Sequence, residues 1–142
     1  MNTKQVKSPT SCYCLKTRRV ASDVSNFYDH ILAPSGVTVR QYSVLLNISR
    51  SEKGSISELA EMAELDRSTL SRNLKPLFQK ELIRDVRSSG ARDCKLELTD
   101  AGSHTLKLAM ELWQKAQLAV EQKLGKDGLE KFDQLLEALE AL

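Results

Sequence analysis

"SISELAEMAELDRSTLSRNLKPLFQKELI", Ser55 to Ile83, decides how the rest of this chain is read. Its second half repeats apolar residues at Leu70, Leu74, Leu77 and Phe78, one face of a helix expected over about Arg67 to Lys80. At 100° per residue, Ser68, Arg72, Lys75 and Gln79 lie opposite, flanked by Thr69 and Ser71. A solvated face ordinarily mixes both charges, yet no acid occurs from Arg67 to Lys80. Short hydroxyl donors beside long cations suit base edges and phosphates. Upstream, Ser57 is expected to cap a short helix through Ala63, with small Ala60 where two helices must cross. Glu64 stands in the tight turn between them, and Pro76 should loosen the second helix near Arg72.

Working outward, "LIRDV" and "KLELT" alternate with period two around "RSSGARDC", a hairpin with a flexible tip. Arg67 to Lys95 holds eight Lys or Arg against three acids, a local charge of +5. The whole chain is only +2, so the remainder sums to −3. A basic block in a mildly acidic chain implies an anionic partner. Before it, Thr38-Val39-Arg40-Gln41 spells a capping box for a helix with Val39, Tyr42, Leu45 and Leu46 inward. A short strand is expected at Ile56. An earlier helix, about Cys14 to Leu32, ends at "APSG", and residues 1–11 are polar and expected to be a mobile tail. Thr99 caps a long apolar helix that "GKDG" (Gly125 to Gly128) should break before a last helix from Leu129.

The order is helix, helix, short strand, helix, helix, hairpin, long helix, helix. The expected fold is mainly α with a small β-hairpin wing (α+β), a winged helix-turn-helix in one domain of 142 residues. The helices from Thr99 onward carry more apolar surface than one small domain buries, so they are expected to meet a second copy. No apolar run is long enough to span a bilayer, and the N-terminus lacks a signal-peptide core. Three cysteines, an odd number, fit a reducing compartment, so a cytoplasmic protein without membrane attachment is expected. An enzyme is disfavoured: the chain has no Gly-rich phosphate loop, no Gly-x-Ser-x-Gly and no paired-carboxylate cluster on a loop. No cofactor is expected, and three Cys with two His lack zinc-ligand spacing.

The Ser55 to Ile83 stretch, followed by "CKLELTDAG" (Cys94 to Gly102), resembles the MarR family of winged helix-turn-helix regulators, whose "LxLTxxG" signature matches Leu96 to Gly102. The resemblance covers about Leu15 to Leu142 and implies a DNA-binding lobe over 38–98 and an obligate homodimer, joined by an all-helical region of 14–32 and 99–142, that places two recognition helices in successive major grooves. The partner it implies is double-stranded DNA carrying a pseudo-palindromic operator, with half-sites roughly 34 Å apart. The function expected is a repressor, or less often an activator. The alternative is a winged-helix protein interaction module that never meets DNA. Ser68, Thr69 and Arg72 are assigned to base reading, Ser71 and Lys75 to phosphates, and Arg87 and Lys95 to backbone contacts of the wing. Arg92 matches the family's minor-groove arginine, but Gly90 and Ala91 stand where its orienting acid is usual, so Asp93 is the substitute available.

Two signals are open. Cys12 and Cys14 lie where the first helix begins, near Lys16, Arg18 and Arg19, a setting that favours thiolates. One branch of the family senses organic peroxides through a cysteine at this place, aided by tyrosines of the other subunit. Tyr28 resembles one of those tyrosines, while Val39 stands where another is usual. A Cys-x-Cys bridge within one chain is strained, so oxidation should join chains or stop at sulfenic acid. The second signal is a small aromatic or phenolic ligand in a pocket near Arg18, Tyr28, His30 and Tyr42.

Overall fold

The computed structural model describes residues 12–142; the expected N-terminal tail lies outside them. Five helices and one hairpin follow in order: α1 (Tyr13–Leu32), a 3-10 turn (Ala33–Ser35), α2 (Val39–Arg50), α3 (Ile56–Ala63), α4 (Arg67–Gln79), β1 (Ile83–Asp85), β2 (Leu96–Leu98) and α5 (Asp100–Glu140). The winged helix-turn-helix is thus present, with α3 and α4 as its two helices and β1–β2 as its wing.

Local chemistry sets these boundaries. Thr38 accepts from the Gln41 N–H while the Gln41 side chain accepts from the Thr38 N–H, a complete capping box. Helix α3 begins earlier than its sequence suggested. Ser55, not Ser57, accepts from the Glu58 N–H, and Ile56 is the first helical residue rather than a strand. The extended contact belongs to Gly54, whose carbonyl accepts from the Leu96 N–H at 2.9 Å. Glu64 ends α3 in the left-handed region (φ 53°), the turn where glycine is usual. The hairpin pairs Ile83 with Leu98, Arg84 with Glu97 and Asp85 with Leu96, antiparallel.

One core joins the lobe. Leu32, Leu45, Leu59, Leu70 and Leu77 are fully buried, so each helix from α1 to α4 contributes to it. Tyr42 is also buried, stacked on Trp113 of α5 with ring centroids 6.0 Å apart. Leu46 and Val39 only border this core, and Val44 and Ile48 complete the inward face of α2. Phe78 departs from its expected burial: it is 42% exposed, beside the wing. The expected break is at Gly125, whose left-handed φ of 67° divides α5 into two helical arms. All the buried residues of α5 lie between Gly102 and Ala116, so its second arm contributes nothing to this core.

Candidate nucleic-acid interface

Asp66 starts α4. Its carboxylate accepts the Thr69 N–H at 2.9 Å, which satisfies one of the unpaired amides of the first turn. The same carboxylate accepts the hydroxyls of Ser68 and Thr69, and these bonds hold its pKa well below the ordinary carboxylate range. Leu70, Leu74 and Leu77 then anchor the helix from below, leaving Ser68, Ser71, Arg72 and Lys75 exposed and Thr69 half-buried. Arg72 Nη2 donates to Thr69 Oγ1 at 3.2 Å, so this arginine is laid back along the helix toward its N-terminus. Arg67 donates to Ser57 Oγ and ties α4 to α3. At the other end, Lys80 Nζ donates to the Gly36 carbonyl at 2.6 Å and joins α4 to the turn before α2.

The wing is organised by an acid that the sequence did not single out. Asp85 Oδ1 accepts the Lys95 N–H at 3.0 Å and the Arg87 N–H at 3.1 Å, while Oδ2 pairs with Arg87 Nε at 3.0 Å. Arg87 Nη1 in turn donates to the Arg92 carbonyl at 3.4 Å. Arg87 is therefore a brace inside the wing, and Asp85 with Arg87 steadies the tip that carries Arg92. Among the described residues no ion pair joins Arg92 to Asp93. Arg92, Arg87, Ser71 and Arg67 line one cleft of about 560 Å³ between α4 and the wing. Lys95 stands apart, on a second cleft with Ser49, Ser51 and Lys53.

Hydrogen bonds from Lys95 N–H, then from Arg87 N–H, and the Arg87 charge hold the Asp85 carboxyl below its usual value. A depressed pKa contributes stability that is complete above the unfolded value, about 4, and is lost as pH falls through the lower folded value. Amide exchange at Lys95 and Arg87 should accordingly quicken, relative to that at Leu74, as a sample is acidified below about pH 4. Asp85→Ala should show the fast exchange already at neutral pH; unchanged protection there would remove Asp85 as the organiser.

The signal candidates are not brought together within the chain. Cys12 and Cys14 are exposed at the start of α1. Tyr28 lies about 21 Å further along that helix at 1.5 Å per residue and donates its hydroxyl to Gln117 Oε1 of α5 at 2.7 Å. Burial, then the nearby Glu121 charge, raises the Tyr28 pKa, and burial does the same for Tyr42 against the opposing Arg50 charge. Both phenols stay neutral. Tyr42 belongs to the core and His30 is exposed, whereas Arg18 lines an open groove. That groove, about 460 Å³, runs between α1 and the start of α2 with Ser22, Asn26, Thr38 and Arg40.

Residues 37–92 match the model of the MarR family. The transcriptional regulator MosR of M. tuberculosis superposes with a TM-score of 0.73 at 34% identity, over 93% of this chain and 98% of that one. The chain belongs to the MarR family. MosR solved in complex with DNA matches this family member at 36% identity and a TM-score of 0.75, over 92% of this chain and 98% of that one. The transcriptional repressor CouR, bound to p-coumaroyl-CoA, matches at 25% identity and a TM-score of 0.77, over 91% of each chain. Among curated protein sequences none matches. In this MarR-family chain no helix of the described residues is long and apolar enough to cross a membrane.

Proposed function

We infer that this protein is a dimeric DNA-binding transcriptional regulator, a repressor by preference, with α4 in the major groove and Arg92 at the minor groove. The observation that carries the reading is the exposed, acid-free face of α4 set beside the arginine-bearing wing. A protein solved with DNA shares 36% of its sequence, which supports the same partner here. The interaction-module alternative would want acids or an apolar patch on that face, and it carries neither.

Arg72 and Ser68 are assigned to base edges, Ser71 and Lys75 to phosphates. Arg72→Ala should cost ~1–3 kcal/mol on a specific site and relax base preference at one position per half-site. Lys75→Ala should weaken specific and scrambled duplexes alike and reduce the salt slope by about 1 for each phosphate that is no longer neutralised. Competition anisotropy on the two duplexes separates them. Equal effects of both variants on both duplexes would reverse the assignment.

Dimerisation is assigned to α1 and the second arm of α5. Val20 is 54% exposed and Leu135 63%, with Val24, Phe132, Leu136 and Leu139 also open. These side chains make a surface that a second copy would cover. A C2 dimer of this kind accounts for a pseudo-palindromic operator.

For the signal, two sites have separate support. Cys12 and Cys14 are accessible to an organic peroxide. The Arg18 groove offers a cation and hydroxyls to an acidic or phenolic ligand, and CouR carries a p-coumaroyl thioester. DNA release by cumene hydroperoxide, reversed by thiol and abolished in Cys12→Ser with Cys14→Ser, would assign the thiols. Release by p-coumaroyl-CoA, weakened in Arg18→Ala, would assign the groove.

A further inference from the structure

The first turn of α4 contains a hydrogen-bond chain that constrains which bases it can read. Asp66 is exposed, and its carboxylate takes three bonds: the Thr69 N–H at 2.9 Å, the Thr69 hydroxyl at 2.5 Å and the Ser68 hydroxyl. An ionised carboxylate only accepts, and a hydroxyl has one proton to give. Both hydroxyl protons therefore point back at Asp66. What Ser68 can present outward is lone pairs alone. Thr69 Oγ1 has one of its lone pairs occupied by Arg72 Nη2 at 3.2 Å. The result is a continuous relay, Asp66 to Thr69 to Arg72, that commits one guanidinium N–H and fixes the direction of the remaining fork.

We propose that Asp66, as a positioning residue, sets the hydrogen-bond polarity with which α4 reads the major groove. Ser68 is held as an acceptor for the exocyclic amino group of adenine or cytosine, and Arg72 is aimed through Thr69 at the acceptor edge of guanine. The inference rests on the DNA-binding reading of α4. In the major groove only adenine N6 and cytosine N4 offer donors, whereas guanine O6 and N7, thymine O4 and every phosphate oxygen are acceptors. Lone pairs aimed at those acceptors repel, so an acceptor-only Ser68 cannot grip the backbone and must discriminate amino from keto bases. A carboxylate is tolerated this close to DNA because the first-turn amide and two hydroxyls absorb its charge.

The relay is tested with the full-length protein and a randomised duplex library, followed by anisotropy on single-base variants of the selected site. The position facing Ser68 is the one whose preference disappears in Ser68→Ala, and Arg72→Ala marks its own position likewise. Wild type should select adenine or cytosine at the first and guanine at the second. Asp66→Gly removes the carboxylate while leaving a residue tolerated at an N-cap, and it frees the protons of both hydroxyls. Its selected base at the Ser68 position should move toward guanine or thymine. Thr69→Val keeps the backbone N–H and the branched side chain but breaks the relay, so preference for guanine at the Arg72 position should fall about 10-fold. Thr69→Ser should restore it. A guanine or thymine preference facing Ser68 in the wild type would overturn the inference. So would selection of an unchanged motif, with unchanged ratios, by both Asp66→Gly and Thr69→Val. A purely structural cap would lower melting temperature without moving base preference, and that pattern too would overturn it. If the wild type enriches no motif and its binding ignores salt, the DNA reading itself fails, and this inference with it.

Discussion

Gly102→Ala is expected to destabilise the protein by about 3 kcal/mol or more, at the upper end of overpacking effects, and to lower the melting temperature by roughly 10 °C. A Cβ at this position would stand 1.9 Å from the Leu82 carbonyl oxygen and 2.9 Å from its carbon. That oxygen belongs to the backbone entering β1 and already accepts the Thr99 N–H at 3.0 Å. Thr99 also caps α5 by accepting from the Gly102 N–H at 3.0 Å, and its own hydroxyl donates to the Glu81 carbonyl at 2.7 Å. Wing, cap and long helix meet at one point, so no flexible side chain can yield. The "LxLTxxG" pattern therefore records a close backbone approach. Urea unfolding at matched protomer concentration checks it, with the exposed Ser103→Ala as a control expected within about 0.5 kcal/mol of wild type. A Gly102→Ala midpoint equal to that of the control would mean that α5 and β1 do not approach so closely.

Leu135→Asp combined with Leu139→Asp is expected to yield a folded monomer that has lost at least about 100-fold in operator affinity. Both leucines are open, at 63% and 48% exposure, so the change costs this chain's own core nothing. Charges placed on a face that a second copy covers are desolvated and unpaired there. The affinity follows from linkage: two tethered half-sites outbind one by roughly 10² to 10⁴ with no additional interaction at either. Sedimentation and anisotropy on the same preparation report both quantities, and circular dichroism confirms retained helix. A variant that stays dimeric and binds as before would place the interface elsewhere.

Helix α4 is legible because three signals agree on it: an apolar stripe, an acid-free opposite face and a basic hairpin downstream. Thr38 is legible for a similar reason, since a capping box is a four-residue code. The start of α3 is ambiguous between Ser55 and Ser57. The pattern Ser55-x-x-Glu58 carries the correct answer, although the Glu58 carboxylate turns instead to the Glu52 and Lys53 N–H groups, both at 2.7 Å. Phe78 shows the limit of periodicity, which assigns a helix face but not what stands over its edge. The same limit scatters the expected pocket. Helical spacing cannot say that Tyr42 meets Trp113 or that Tyr28 meets Gln117, because both partners lie far away on α5. Asp85 has no sequence signal at all; its role depends on the hairpin register that brings the Lys95 N–H to it. Asp66 does have one, an acid directly before a helix, and its importance appears only with the hydroxyls folded onto it.

The most direct test of the central claim is a salt titration of the purified protein on the duplex it selects from random DNA. About three neutralised phosphates per protomer, six per dimer, predict a slope near −5 in log K against log salt and a loss of roughly 10³ in affinity between 50 and 200 mM. A slope near zero, or no binding at about 50 mM, would contradict a DNA-binding regulator built on α4 and the wing.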